Sequence, residues 1–305
     1  MKSRIWMFVW LFACINIGCY DEKSVTPSET PEDIYGKYTL PQGDHEYDDA
    51  IVDFYKKYGS LILYKFEDKD FWWTPSGDIR WAFYDNGVDR TLGYEADPAD
   101  EAYVGNQLEL LNQTWFKFFA DSSLTRLLPQ KILMTSRLDF VQNGEGYPVE
   151  EDYVPLNCYS GYDYIAVNWG NEKILTMDAE AWKLFKADVC YMLLERATSK
   201  NMIGYAAVFA SVSNYGLNFQ SHETEKMYGN GILDYNHRTD PTRDWMDYLH
   251  AIIYHSLEEL EGEGGILSAA IDINGKIREK YDIMTDYFKS EYNIDLQAIG
   301  DEVKR

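Results

Sequence analysis

The histidines that could bind a metal ion through their imidazoles are few in this chain. Its histidines are His45, His222, His237, His250 and His255. A His-Glu-x-x-His motif on a helix would place two imidazoles on one face for zinc, with a glutamate between them to activate the bound water. His222 and Glu223 begin such a motif, but Lys226 stands where the second histidine belongs. The sequence therefore contains no intact copy of this motif.

A weaker metal-binding pair lies further along the chain, in a stretch with helical spacing. Asp247 and His250 are three residues apart, so their side chains share one face of a helix and could hold one ion. His255 lies about 140° around the axis from His250, which prevents these two from sharing a metal. A solvated pair on an acidic helix is the simpler interpretation of Asp247 and His250. We therefore expect no bound metal here.

Cysteine chemistry is indicated at Cys19. The residues before it contain Lys2 and Arg4, an apolar run over residues 5–15 and a small residue at the junction. This is the pattern of a secretory signal, and the run is shorter than the roughly 20 residues that span a bilayer. The junction resembles a bacterial lipobox, in which the cysteine at the first mature position is lipidated. We predict a signal peptide over residues 1–18 and a lipid on Cys19.

Two alternatives to a lipid on Cys19 remain open. Asn16 is unusual at its place in a lipobox, and Cys14 is the other candidate acceptor. An ordinary cleaved signal would instead leave Cys19 as a free thiol. If Cys19 is lipidated, two or more acyl chains would hold the protein stably at the membrane, whereas one chain binds only marginally.

The charge of the chain excludes one class of partner. Removal of the predicted signal leaves 26 basic residues against 51 acidic ones. Such a surface repels phosphate backbones and anionic headgroups, which argues against binding to nucleic acid and against an electrostatic membrane contact. The lipid would have to hold the protein at the membrane unaided.

Residues 19–49 are predicted to form a lipidated N-terminus and a flexible acidic tether. This stretch is rich in Pro, Ser, Thr and acidic residues, which bury little surface. The sequence of residues 20–23 (YDEK) resembles the acidic export tag of Bacteroidetes lipoproteins. That resemblance implies a lipid-anchored protein on the outer face of the outer membrane.

Residues 50–305 are long enough for one large domain, and the order of their elements indicates an α+β fold. Apolar runs with β-branched or aromatic residues predict strands over 60–66, 128–134 and 162–169. Asp178 is a good N-cap for a helix that continues to Ser199. Helical spacing predicts further helices over 50–58, 107–119, 243–261 and 274–292.

Several short strings, together with this order of elements, resemble one family. They are residues 55–60 (YKKYGS), 129–133 (PQKIL), 280–284 (KYDIM) and 292–296 (YNIDL). The family is that of the lipoprotein zinc metallohydrolases, or zinc-binding metallopeptidases, encoded with TonB-dependent nutrient importers in Bacteroidetes. The resemblance implies a zincin-like metallopeptidase fold for residues 50–305, in which long helices follow a small sheet.

The resemblance also shows where a catalytic motif would lie and how far this chain departs from it. The best placement on the helix after the third strand puts Ala187 and Tyr191 at the two histidine positions and Asp188 at the glutamate position. Ala187 has no atom that binds a metal, and a tyrosine is protonated at neutral pH. Asp247 is the best equivalent of the acidic third ligand, with Asp244 second. One carboxylate without two imidazoles does not hold zinc.

Two further residue pairs could contribute to binding. Cys158 and Cys190 follow the predicted signal; two buried thiols are the simpler interpretation, with a disulfide or a shared metal ion as alternatives. Trp72 and Trp73 are adjacent, so in a strand one ring would face outward, as in surfaces that bind sugars or peptides. Core packing is the default interpretation of such rings.

The departures from the motif lead to three hypotheses about function. The first is a pseudoenzyme without zinc, a surface lipoprotein that acts as a binding or accessory component of a TonB-dependent nutrient-import system. The alternative is an active zinc-dependent metallohydrolase or peptidase with an atypical metal site, drawn from Asp188, Tyr191, Asp247 or His250. The third is a scaffold that contacts the TonB-dependent transporter or its partner lipoprotein.

Overall fold

This computed structural model describes residues 38–78, 82–85, 89–143 and 153–304. The predicted signal and Cys14 and Cys19 lie outside the described residues. The large compact unit begins at Pro41, so residues 41–49, which the sequence assigned to the tether, belong to it. Asp48 is only 3% exposed and accepts a hydrogen bond from the Tyr64 hydroxyl at 2.9 Å. The Gln42 side chain accepts one from the Tyr64 backbone amide at 2.8 Å.

The described strands are short, with two exceptions. They are β1 Leu61–Leu63, β2 Trp73–Thr74, β3 Gly77–Asp78, β4 Ala82–Asp85, β5 Asp89–Pro98, β6 Lys131–Asn143, β7 Tyr153–Pro155, β8 Cys158–Ser160 and β9 Tyr164–Val167. β2 and β3 form a separate two-stranded ribbon, and the others form one sheet with the order β4-β5-β6-β9-β8.

The long strand β6 organises this sheet. Its first residues, 131–133, pair in parallel with both β1 and β9. Its later residues, 139–141, pair in antiparallel fashion with both β5 and β7. One strand therefore belongs to a parallel sheet at its beginning and to an antiparallel sheet at its end.

Helices are concentrated in the second half of the chain. They are α1 Asp48–Tyr58, α2 Asp68–Trp72, α3 Val104–Thr114, α4 Asp121–Leu127, α5 Ala179–Ser199, α6 Ala207–Val212, α7 Thr224–Tyr228, α8 Pro241–Tyr254, α9 Leu257–Glu261, α10 Lys276–Tyr292 and α11 Leu296–Asp301. The described fold is thus mixed α/β, an open sheet followed by helices. None of the helices within the described ranges combines the length and apolarity that crossing a membrane requires.

The longest helix, α5, is largely buried against several elements of the domain. The Asp178 carboxylate accepts a hydrogen bond from the Ala181 amide at 2.8 Å, which confirms the predicted N-cap. Phe185 and Leu193 are fully buried, as expected for a helix covered on more than one side. It packs against α3, α4, α8, α11 and β8. This position brings α5 and α8 side by side.

The prediction of one helix over 243–261 is wrong, because the structure divides it into α8 and α9. Ser256 begins the second helix with a capping box: its hydroxyl accepts from the Glu259 amide, and the Glu259 carboxylate accepts from the Ser256 amide. These two bonds satisfy backbone groups that a continuous helix would have used. The direction of the chain therefore changes just after Tyr254.

Candidate functional site

The contact between α5 and α8 brings three of the side chains chosen from the sequence together with a fourth, Tyr254. Asp188 and Tyr191 lie on α5, and His250 and Tyr254 lie on α8. The His250 and Tyr254 rings are stacked with centroids 4.0 Å apart. The Tyr191 ring meets them edge-on, 5.4 Å from His250 and 6.0 Å from Tyr254. Two of the predicted motif positions and one candidate metal ligand thus share one location.

The Asp188 carboxylate is held at both oxygens. The Asn157 side-chain amide donates to Oδ2 at 2.7 Å, and the Tyr254 hydroxyl donates to Oδ1. Burial, reinforced by the Asp188 charge, raises the pKa of Tyr254 well above its usual value, so the phenol keeps the proton it donates. Asp188 therefore has two fixed donors where a general base would face substrate.

The other two positions on the motif face lack zinc-binding chemistry. Ala187 is 1% exposed and offers no ligand atom. Burial raises the pKa of Tyr191 to about 12, with a smaller contribution from the charges of Glu195 and Asp247. The Tyr191 hydroxyl consequently remains protonated near neutral pH, the form that binds zinc poorly.

The carboxylate predicted as the third ligand is paired with a histidine that the sequence analysis did not connect to it. His237 Nδ1 lies 2.9 Å and 2.8 Å from the two oxygens of Asp247. Burial raises the pKa of Asp247 to about 6, although the hydrogen bond and charge of His237 act in the opposite direction. The second candidate, Asp244, is fully buried and paired with Lys280, so it belongs to the core.

The structure does not favour the alternative in which Asp247 and His250 hold a metal ion. Asp247 is engaged by His237, and His250 is stacked on Tyr254. Burial lowers the pKa of His250, with His255 adding to the decrease and Asp188 opposing it. Across the described ranges, no three side chains of His, Cys, Asp or Glu converge in a way that would hold a metal ion. The donor set at this location does not fit zinc.

The two cysteines of the domain are buried, free thiols. Cys190 Sγ lies 3.3 Å from the Thr114 carbonyl oxygen, within the contact between α5 and α3. Burial raises the pKa of both Cys158 and Cys190 above the usual value, so neither is in the thiolate form that binds metals. The structure agrees with the interpretation of two buried thiols.

The adjacent tryptophans divide between core and surface. Trp72 ends α2, is 9% exposed, and donates its indole N–H to the Tyr94 carbonyl oxygen at 2.8 Å. Trp72 is therefore a core residue, which corrects its selection as a binding residue. Trp73 begins β2 and is 59% exposed, with the Tyr162 ring edge-on at 6.2 Å. The outward ring arises because the chain passes from helix to strand between the two residues.

Three partners of the candidate site were missed. Tyr254 and Asn157 become partners of Asp188 only when α8 and the segment before β8 pack against α5. His237 had a local signal, since it stands shortly before the Asp-Pro pair that begins α8. The Asp240 side chain caps that helix by accepting from the Thr242 and Arg243 amides. A residue just before such a cap can reach the second turn of the helix.

Comparisons with known proteins add little to this geometry. No protein-family model matches the chain, and no curated protein matches it. One solved structure is similar, from Bacteroides caccae, described as "a putative zinc-binding metallo-peptidase". It has 11% sequence identity and a TM-score of 0.48, and the match covers 84% of this chain and 91% of the other. A likeness of that size carries no argument about activity.

Proposed function

We propose that this protein is a surface lipoprotein with a zincin-like fold that lacks catalytic zinc and serves as a binding or accessory component of a TonB-dependent nutrient-import system. The observation that carries the proposal is the state of Asp188, the residue at the position of the catalytic glutamate. Its two oxygens accept hydrogen bonds from Asn157 and Tyr254. A carboxylate so held positions other side chains rather than activating water.

The neighbouring positions support the same proposal. A hydrolytic zinc site of this type needs three protein ligands and one open position for water. Ala187 contributes no ligand, Tyr191 remains protonated, and Asp247 is paired with His237. In this proposal, none of the three ligand positions therefore has a group that is available to bind zinc.

The anchoring part of the proposal rests on residues 1–23. A short signal, a cysteine at the first mature position and an acidic stretch after it support lipidation and display on the outer face of the outer membrane. The partners would then be the membrane lipid, a TonB-dependent transporter and its partner lipoprotein.

One observation favours the alternative function, an active zinc hydrolase with an atypical site. His237 adds an imidazole to the carboxylate of Asp247 at 2.8 Å, which is the beginning of a ligand pair. His250 lies on the same helix as Asp247. A third ligand would have to reach this pair by rearrangement of α5 or α8.

Zinc content and cleavage together test the proposal against this alternative. The purified protein would be incubated with zinc, dialysed and measured by inductively coupled plasma mass spectrometry. A peptide-library digest would run in parallel with and without a chelator. We expect far less than one equivalent of zinc and no chelator-sensitive cleavage.

Stoichiometric zinc that is lost in His237→Ala, together with chelator-sensitive cleavage, would refute the proposal and establish the alternative. Arg243→Ala, an exposed change on the helix that carries Asp247, is the matched control for nonspecific metal uptake. Co-purification from outer membranes tests the partner: enrichment of a TonB-dependent transporter is expected, and its absence would count against the import role.

A further inference from the structure

A cavity of about 340 Å³ is lined in part by Asn157, whose side chain also donates to Asp188. Among its lining residues are Trp169 and three asparagines, Asn157, Asn168 and Asn171. Its volume is in the range of small-molecule sites. None of the roles proposed above uses this cavity.

Each of the three amides is fixed by two hydrogen bonds within the protein. The amide nitrogen of Asn157 donates to the Asp188 carboxylate. That of Asn168 donates to the Leu156 carbonyl, and that of Asn171 donates to the Ser136 carbonyl. The Asn157 oxygen accepts from the Trp169 indole, and the Asn168 oxygen accepts from the Trp169 backbone amide. The Asn171 oxygen accepts from the Lys173 backbone amide. The orientation of each amide, including which end is oxygen, is thereby determined.

A carboxamide has two N–H groups and two oxygen lone pairs. Each of these amides uses one of each internally, so each keeps one donor and one acceptor. All three side chains are partly exposed. A hydroxyl group also donates once and accepts, so a ligand with several hydroxyl groups matches a set of fixed amides of this kind.

Trp169 supplies an apolar surface in the same cavity. Its backbone has φ of 80°, a conformation that is uncommon for a bulky residue and is kept only where surrounding contacts impose it. Its indole N–H donates to Asn157 Oδ1 at 2.8 Å, which fixes the ring. Through Asn157 the ring is linked to Asp188, so the former motif position supports this cavity.

The loop that carries Trp169 is fixed by hydrogen bonds from Gln107 and by close packing against Ala99. The buried Gln107 side chain donates to the Val167 and Asn168 carbonyl oxygens at 2.9 Å and 2.7 Å. Gly170 packs so closely that an added Cβ would lie 2.6 Å from the Ala99 Cβ. A loop fixed in this way is preorganised, which reduces the entropy lost on binding.

The charges around the cavity do not favour an anionic ligand. Arg137, which lines the cavity, is already matched by Glu95, Asp97 and Asp139 at 3.2 Å, 2.6 Å and 3.2 Å. Lys173 is the other cation in the lining, in a protein with a net charge of −23. A neutral ligand suits this environment better than a phosphate, a sulfate or an acidic peptide.

We infer that the cavity binds a neutral saccharide, with one sugar face against Trp169 and hydroxyl groups on the three amides. This inference rests on the proposed function, since it names the ligand class of a binding component. Carbon-bound hydrogens of a sugar pack on an indole ring, and adjacent hydroxyl groups take the remaining donors and acceptors of the asparagines.

The test is an array of neutral oligosaccharides, followed by calorimetric titration of the purified protein with each oligosaccharide bound on the array. Trp169→Gly removes the ring and suits the positive φ, and Asn171→Ala removes one amide. We expect each change to weaken binding by at least about tenfold. Trp73→Ala, which removes an exposed ring outside the cavity, is the matched control and should leave affinity within about twofold.

Circular dichroism and urea unfolding would establish that each variant is folded before its affinity is interpreted. No binding by any neutral saccharide, binding of acidic glycans or peptides alone, or loss of binding in Trp73→Ala with none in Trp169→Gly would each overturn the inference. These outcomes leave the proposed absence of zinc and cleavage standing. Chelator-sensitive cleavage would instead refute the proposed function, whatever the array shows.

Discussion

Two carboxylates at the candidate site are held by different chemistry, and this difference makes them separately testable. Asp188 is bound by neutral donors, the Asn157 amide and the Tyr254 phenol. Asp247 is bound by the imidazole of His237, and burial raises the pKa of Asp247 to about 6. Removal of a donor should therefore affect Asp188 through lost hydrogen bonding, and a change of pH should affect Asp247.

Tyr254→Phe is predicted to destabilise the protein by about 1–3 kcal/mol, because it leaves one Asp188 oxygen without its donor in a partly buried position. Urea unfolding followed by fluorescence measures the free energy. Tyr58→Phe is the matched control: its hydroxyl donates to Asp121 at 2.7 Å on the exposed surface, where a loss within about 0.5 kcal/mol is expected. Equal losses in the two variants would contradict a structural role for Asp188.

The pH dependence of stability is predicted to differ between the wild type and Asp247→Asn. Burial raises the pKa of Asp247 to about 6, above the value of about 4 expected in the unfolded chain. Between about pH 4 and pH 6, the folded state therefore holds a proton that the unfolded state has released. The contribution of this proton to the free energy of unfolding is complete below about pH 4 and is lost as the pH rises to about 6.

Free energies of unfolding from pH 4 to pH 7 measure this contribution. The asparagine side chain does not titrate, so Asp247→Asn should gain stability relative to the wild type as the pH rises through this window. Asp53→Asn, an exposed change on α1, should run parallel to the wild type throughout. If Asp247→Asn also runs parallel, burial does not govern this carboxylate.

The residues of the candidate site were only partly predictable from the sequence. Asp188, Tyr191 and Asp247 could be chosen because helical spacing and the resemblance to a family point to fixed positions. Tyr254 and Asn157 could not be chosen, because they are distant from Asp188 in sequence. Tyr254 is 66 positions from Asp188, and Asn157 is 31 positions from it. Nothing local marks a tyrosine that will donate to a particular carboxylate.

At the scale of elements, a buried ion pair joins α8 to α10. Asp244 and Lys280 are both fully buried, and the ammonium also donates to the Gly231 carbonyl at 2.8 Å. Burial lowers the pKa of Lys280, and the Asp244 charge opposes that decrease. The ammonium also faces the rings of Phe209, Tyr215 and Tyr248. The pair fixes the position of α10 relative to the helix that carries His250.

Lys280→Ala is predicted to cost about 3–5 kcal/mol, because it leaves a buried carboxylate without its partner. The double change Lys280→Met with Asp244→Leu should recover much of that loss, since it removes both charges. Denaturant unfolding of the single and double variants provides the measurement. Lys289→Ala, which breaks an exposed pair with Asp295, should change stability by less than about 1 kcal/mol. A double change no better than the single one would contradict the ion-pair explanation.

Elements with strong local signals were predictable, and elements defined by pairing were not. The α5 helix was predicted with its N-cap at Asp178 because one side chain and a long helical pattern agree. The β5 strand (DRTLGYEADP) was missed because it contains Gly, Pro and several acidic residues, and its extended form depends on pairing with β6. The capping box at Ser256 was a local signal that a longer apolar pattern obscured.

At the scale of the whole molecule, three of the strands and the long helices that follow them were predictable, and the organisation around β6 was not. The sequence indicated strands near residues 61, 131 and 164, and the structure contains β1, β6 and β9 there. It gave no reason to expect that β6 continues to Asn143 and pairs with four strands. Residues 131–143 alternate only in part, and register depends on partners distant in sequence.

The proposed membrane attachment also concerns the whole molecule. Cys19→Ser is predicted to shift the protein from the membrane fraction to the soluble fraction of cells, because the acidic mature chain has no electrostatic attraction to anionic lipid. Fractionation followed by immunoblotting measures the distribution. Cys14→Ser is the matched control and should remain in the membrane fraction. If Cys14→Ser is released and Cys19→Ser is not, the acceptor is Cys14.

The dual pairing of β6 has a consequence for the order of folding. The parallel pairing of its first residues needs both β1, about seventy positions earlier, and β9, about thirty positions later. Closing such long loops costs conformational entropy before the strand hydrogen bonds form, and this slows formation of a sheet. Along β6 the partners closest in sequence are those of β7, such as Val141 with Tyr153, so the pairing of β6 with β7 is the natural nucleus. The parallel half, whose partners lie farther apart in sequence than those of β7, would therefore assemble after it.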